Sequence, residues 1–435
     1  ESHCKGIEYN MYTGRCELWS RPILSHRSCI TGDTCPERNY SCHTMQCSAI
    51  DKPLALKAEE RSFGDGYGGR VGICGDTAIV GASGDNDHGD SSGAAYVFIR
   101  RADTFREEAK LTPDDGYRNA QFGNSVSVSG DTALVGAFMD NSKGDNSGSA
   151  YVFHRSLDVW NQVAKIVPED GSEHQNFGVS VSIFGDTALI GSSGNPKKNI
   201  SASAYVFVKT SDHDWVQQAK LSLPDMTGIT GFAKSLDVSG HLAVIGAEED
   251  ISSASASSGA AYIFARDVNL TWHLKQKLIG SDVVAGDSFG SSVSLSGKNT
   301  IIGAYRSNSR GKLSGAAYVF YLEPDGLWKE QRKLVPQDLD ANDGFGYSVS
   351  ISGPTAVVGA WTDEHRGVDQ SGSGYIFVRS GSSWVQQAKL APEKATAGAS
   401  FGYAVALSGH MAVLASKSNQ AYVFPAALSQ ACPAS

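Results

Sequence analysis

Three things are scarce in this chain, and each scarcity removes a class of protein. Basic charge is in deficit, with 37 Lys and Arg against 46 Asp and Glu and a net charge of -9. Nucleic acid and anionic membrane surfaces both demand basic patches, so neither is an expected partner. Long apolar runs are missing, so no segment reads as a transmembrane helix. Catalytic signatures are missing too: there is no His-Glu-x-x-His, no Gly-x-Ser-x-Gly and no phosphate loop. The glycine-rich stretch Gly64-Asp65-Gly66-Tyr67-Gly68-Gly69 has no βαβ context and reads as a turn. The histidines are scattered, with His241 and His410 in short turns.

Cysteine is confined. Six of the eight cysteines (Cys4, Cys16, Cys29, Cys35, Cys42, Cys47) fall in the first 47 residues, leaving Cys74 and Cys432. An even number crowded into a short loop-rich segment reads as disulfides, which need an oxidising compartment. A zinc knuckle is the alternative, but no Cys-x-x-Cys pair is present. Cys74 has two reachable partners, Cys432 and Cys47, and connectivity stays open. Sequons at Asn39, Asn199 and Asn269 agree with secretion. A chain that begins at Glu1 reads as one whose leader has been removed, so the expected location is extracellular, either secreted or associated with the cell surface.

What the chain has in abundance is repetition. A core of the form Phe-Gly-x-Ser-Val recurs with anchors at Tyr67, Phe122, Phe177, Phe232, Phe289, Phe345 and Phe401, spaced 55, 55, 55, 57, 56 and 56 residues apart. Within one unit, Phe122–Ser129, Thr132–Ala137, Ser149–His154 and Trp160–Ile166 are short runs rich in Val, Ile and aromatics. Gly, Asp, Ser or Pro bound each run, the pattern of four antiparallel strands. Helical periodicity is absent. Such a unit cannot bury both faces alone, so an all-β, seven-bladed β-propeller is expected over residues 51–425, between a cysteine-rich segment at 1–50 and a tail at 426–435. The last unit lacks its fourth strand, and a match to it near 53–59 is expected to close the ring and remove an exposed edge. Gly-Ala pairs such as Gly136-Ala137 and Gly303-Ala304 mark places where neighbouring backbones crowd. The tryptophans at 160, 215, 272, 328 and 384 hold one repeat position, which reads as packing.

The repeat resembles the FG-GAP family, named for this Phe-Gly opening and Gly-Ala closing, which builds the seven-bladed head of integrin α subunits. The segment from Cys4 to Trp19 resembles the second half of a PAN/apple domain, a disulfide-bonded module that binds proteins or sugars. The resemblance also implies calcium, held by Asp-x-Asp-x-Asp-Gly loops between strands one and two. Those connections are tight turns here, such as Ser129-Gly130-Asp131-Thr132, so the integrin-type sites read as deleted and no cofactor is expected. Carboxylates gather elsewhere, at 85–90, 140–145 and 338–343, where turn chemistry is the plain reading. Of these, Asp338, Asp340 and Asn342 form the calcium candidate.

Function is expected on the face that carries the strand 2–3 and 4–1 connections, because the 2–3 loops are long and differ between blades. The residue after each Gly-Ala position is expected to ring the central opening: Ser83, Phe138, Ser193, Glu248, Tyr305, Trp361 and Lys417. Phe138, Glu248, Tyr305, Arg306, Trp361 and Lys417 are the candidate ligand-binding residues, since aromatic rings beside charges suit a sugar face or a peptide side chain. Plugging of the channel by these rings is the competing reading. Three functions stay open. The first is non-catalytic recognition or adhesion with a glycan or extracellular protein as partner, and the second is a self-assembling structural subunit of a filament, wall or coat. The third is a polysaccharide lyase or glycosidase with a composite site, to which Asp87, His88, Arg306, Asp363, Glu364 and His365 would contribute.

Overall fold

The computed structural model describes the backbone of residues 6–10 and 15–19 and, from there on, residues 53–426 apart from 63, 199, 212–213, 225–230 and 251–256. Lys52–Ala427 form one compact unit. Separately, Gly6–Asn10 pairs antiparallel with Arg15–Trp19. The other lead-segment residues, Cys432, and the sequons at Asn39 and Asn199 lie outside the described residues. Asn269 is exposed.

Seven four-stranded antiparallel sheets account for the repeats. In the first, Tyr67–Cys74 is innermost, followed outward by Thr77–Ala82, Ala94–Arg101 and Thr104–Leu111. The last sheet takes Ala404–Ser408, Met411–Ser416 and Gln420–Pro425 from one end of the unit and Leu54–Leu56 from the other. Leu54 faces Val423 and Leu56 faces Ala421, so the ring closes by a strand of three residues within the expected 53–59. The innermost strand of each blade contacts that of the next, and Ala404–Ser408 contacts Tyr67–Cys74 to complete the circle. Among the described residues there is no α-helix, only the single 3-10 turn Pro196–Lys198.

The core lies between blades rather than within them. Ile79, Ala95 and Val97 of the first blade pack with Phe122, Val126 and Val135 of the second. Each anchor ring sits edge-on to aromatics of its own third strand, as Phe122 does to Tyr151 at 5.5 Å and to Phe153 at 5.9 Å. Trp160, Trp272, Trp328 and Trp384 are buried, and the Trp160 indole donates to Glu108 of the preceding blade at 3.0 Å.

Serine explains much of the repeat. The Ser of Phe-Gly-x-Ser donates to the first-strand backbone of the next blade: Ser125 to Gly178, Ser180 to Ala233, Ser235 to Gly290, Ser292 to Gly346 and Ser348 to Gly402, at 2.6–2.8 Å. At the ends of the first strands, Ser129, Ser239, Ser296, Ser352 and Ser408 accept from the amides of Gly185, Gly297, Gly353, Gly409 and Gly75. Cys74 holds that position in the first blade, and its Sγ accepts from the Gly130 amide at 3.4 Å. Blades are therefore joined by directed hydrogen bonds as well as by apolar area.

Candidate functional site

The variable loops are not free ribbons. Each 2–3 loop lies against the 4–1 connection entering the next blade, as Asn119 and Gln121 show by donating their amides to the carbonyls of Asp90 and Ser91 at 2.6 and 3.0 Å. Below them a Lys from the outer strand of each of the first six blades reaches back to a carboxylate. Lys165 Nζ lies 2.5 Å from Asp115 and 3.1 Å from Asp140, and the Tyr151 hydroxyl donates to both carboxylates. Lys110 serves Asp85 and Asp87 in the same way, Lys277 serves Asp250, and Lys389 serves Asp338 and Asp363.

This arrangement places the calcium candidates. Asp338 carries the 2.9 Å contact from Lys389, whose amine and charge, against the upward push of burial, bring that carboxyl below its ordinary value. The Asp340 amide donates to Asp343 at 2.6 Å, and the Asn342 carbonyl accepts from Thr362 at 2.6 Å. An ammonium already sits among the carboxylates, and a divalent ion would have to displace it. Among the described residues no group of three or more His, Cys, Asp or Glu side chains is placed to hold a metal. The candidates for a composite catalytic site are likewise dispersed, with Asp87 on Lys110 and Asp363 on Lys389 in different blades.

At the axis the first strands enclose a cavity of about 480 Å³, and a smaller pocket of about 200 Å³ opens beside it. Glu248 and Tyr305 line the cavity as expected, whereas Ser83 and Lys417 line the smaller pocket. Phe138, Ser193, Arg306 and Trp361 line neither, and Ser193 Oγ accepts from Asn176 at 3.3 Å. Glu248 is paired with Lys234 at 3.2 Å.

Trp361 and Tyr305 belong to an aromatic arc whose other two members, Tyr347 and Tyr403, the sequence reading overlooked. Tyr347 and Tyr403, the variable x of Phe-Gly-x in blades six and seven, approach to 5.0 Å between ring centres. Trp361 lies 5.1 Å from Tyr347 and 6.1 Å from Tyr403, and Tyr305 meets Tyr347 edge-on at 5.3 Å. Trp361 is seated over Gly344, where an added β-carbon would fall 2.6 Å from the indole nitrogen. Cations border the arc: Lys417 Nζ is 4.8 Å from the Trp361 ring centre and 4.5 Å from that of Tyr403. The Arg306 guanidinium lies 5.2 Å over Tyr305 and that of Arg70 lies 5.9 Å over Tyr403. Arg70 stands where five other blades have the bonding Ser, and Ala404 is the other exception. That departure from the repeat is the signal by which Arg70 was findable.

The two tyrosines are electrically unlike. Burial raises Tyr347 and its neighbour Tyr403 raises it further. Burial also pushes Tyr403 up, but the hydrogen bond with Tyr347 and the charges of Arg70 and Lys417 outweigh it, leaving that hydroxyl below its ordinary value.

A family model described as FG-GAP repeat matches residues 55–98, 105–153, 160–207, 215–264, 272–320, 328–377 and 384–424. No curated protein matches the chain. Among solved structures, the periplasmic gluconolactonase of Pseudomonas aeruginosa is similar to it with a TM-score of 0.46 and 15% identity, over 74% of this chain and 85% of that one.

Proposed function

The chain belongs to the FG-GAP repeat family, and from that premise we propose that it is an extracellular recognition protein that holds a glycan at the axial mouth of the propeller. One observation carries this reading. Tyr305, Tyr347 and Tyr403 line the cavity and Trp361 packs against the last two, a continuous arc at positions where the repeat does not require an aromatic. Rings demanded by packing, such as Phe345 or Trp384, recur at matching positions in most blades and are buried between them. The arc rings are only half-buried. Ring faces stack on the C–H faces of sugars, and a cavity of about 480 Å³ falls in the usual range for small ligands.

A glycan array probed with the purified protein, with and without a chelator, tests it. Selective signals that survive chelation, are lost in Trp361→Ala and persist in Phe138→Ala are expected. Signals that Trp361→Ala leaves intact would remove the arc from the site.

A second reading is favoured by the packing of Tyr347 against Tyr403, whose ring centres lie 5.0 Å apart. In elimination from a uronate polymer, one hydroxyl of this pair, as phenolate, would take the C5 proton, the C4–O bond would break as C4=C5 forms, and the other would protonate the departing oxygen. Incubation with polygalacturonate, followed by the ultraviolet absorbance of the unsaturated product, tests it. A flat trace leaves recognition without catalysis.

A further inference from the structure

Several cations of this propeller are held by carboxylates. Beneath the loops, Lys110, Lys165, Lys277 and Lys389 each meet one or two carboxylates, and Arg155 is held by Glu108 at 2.7 Å. At the axial mouth, Lys234 has Glu248. Among the described residues neither Arg70 nor Lys417 has a carboxylate within ion-pair distance: the Arg70 guanidinium donates to the Gly69 carbonyl at 2.8 Å and lies over the Tyr403 ring, and the Lys417 ammonium lies over Trp361 and Tyr403. An aromatic ring holds an ammonium in place without neutralising it. Two uncompensated cations therefore stand side by side in a chain whose net charge is -9.

Both line the 200 Å³ pocket, together with Ser83, Asn124 and Tyr403. Arg70 and Tyr403 also line the larger axial cavity, so they form the boundary between the two spaces. The smaller space is the size of a single charged substituent with part of a sugar ring, and its walls offer hydrogen-bond donors rather than carboxylates. The larger one is flanked by ring faces.

We propose that the ligand is an acidic saccharide, seated on the aromatic arc with a carboxylate or sulfate group in the pocket between Arg70 and Lys417. This rests on the reading that the axial mouth holds a glycan, and it adds the charge of that glycan. A forked guanidinium and a compact ammonium together suit a group with several acceptor oxygens. The ring faces favour a saccharide over an acidic peptide.

Capture of four soluble polymers by the immobilised full chain, each at low and at physiological salt, tests the proposal. Polygalacturonate supplies carboxylates, dextran sulfate supplies sulfate esters, dextran is neutral, and polyglutamate is an acidic peptide. Capture of one or both acidic polysaccharides but not of dextran is expected, weakening with salt and falling about tenfold or more in Arg70→Gln and in Lys417→Gln. Lys329→Gln, on the rim of blade five, is expected to change nothing. Both mouth cations are exposed, and an unchanged thermal midpoint for each variant would separate lost binding from lost fold. Which acidic polymer is held distinguishes carboxylate from sulfate. Equal capture of dextran, polyanion capture indifferent to both variants, or polyglutamate capture with the same variant dependence would overturn the proposal. If neutral glycans alone are held and Trp361→Ala releases them, recognition stands and the acidic assignment falls. If no glycan of any charge is held, both fall.

Discussion

Gly303 closes the second strand of blade five so near the Gly346 carbonyl of blade six that a β-carbon on it would fall 2.0 Å from that oxygen. The same relation joins Gly136 to Gly178 and Gly359 to Gly402, at 2.1 and 2.0 Å. Backbone rather than side chain occupies the space, and it cannot step aside without breaking the contact between blades. Gly303→Ala is accordingly expected to cost about 3 kcal/mol, the upper part of the range for overpacking a well-filled interior. Chemical denaturation measures it, and a loss under about 1 kcal/mol would mean that the blades yield more easily than this contact implies.

Lys389 should matter through what it leaves behind. Asp363 is buried, and Lys389 approaches its two oxygens at 3.1 and 3.0 Å. Lys389→Met is expected to destabilise by about 3 kcal/mol because a carboxylate is then buried without a counter-charge. Adding Asp363→Leu should return most of that loss. A double variant no better than the single one would refute this account.

Asp343 gives a pH dependence whose sign runs opposite to that of a paired carboxylate. Burial, with the charges of Asp363 and Asp340 nearby, pushes it up to about 7. The folded protein thus keeps a proton that the unfolded chain has already released above about pH 4. From this group, stability falls as pH rises from about 4 to about 7 and is level beyond. Asp343→Asn keeps an oxygen to accept from the Asp340 amide and should flatten the slope. Denaturation midpoints of both proteins across that window decide it: parallel pH profiles would rule the assignment out.

Cys74 fills a serine's place, accepting from the next blade's turn as Ser129 and Ser408 do. Cys74→Ser is expected to leave stability within about 0.5 kcal/mol. A drop of several degrees in thermal midpoint would instead indicate a covalent partner such as Cys432 or Cys47.

The sequence by itself determined the ring. Seven anchors at nearly constant spacing, strands bounded by turn residues, and a missing last strand supplied by residues near 53–59 needed no coordinates, because each follows from a local pattern repeated until chance is excluded. It also marked Gly-Ala as a crowded place and the repeated tryptophans as packing. What it could not decide was which side chains meet across blades. Tyr347 and Tyr403 are 56 residues apart and stand at a position that holds Gly69, Asn124, Val179, Lys234 or Ser291 elsewhere, so only closure of the ring reveals them as one surface with Trp361 and Lys417. The carboxylate-rich loops hid their partners for the same reason. Asp338 meets Lys389, delivered by the outer strand of the following repeat 51 residues later. Local order is written in short stretches of chain. A site assembled from one residue per blade depends on the radial geometry that brings those blades to a common axis.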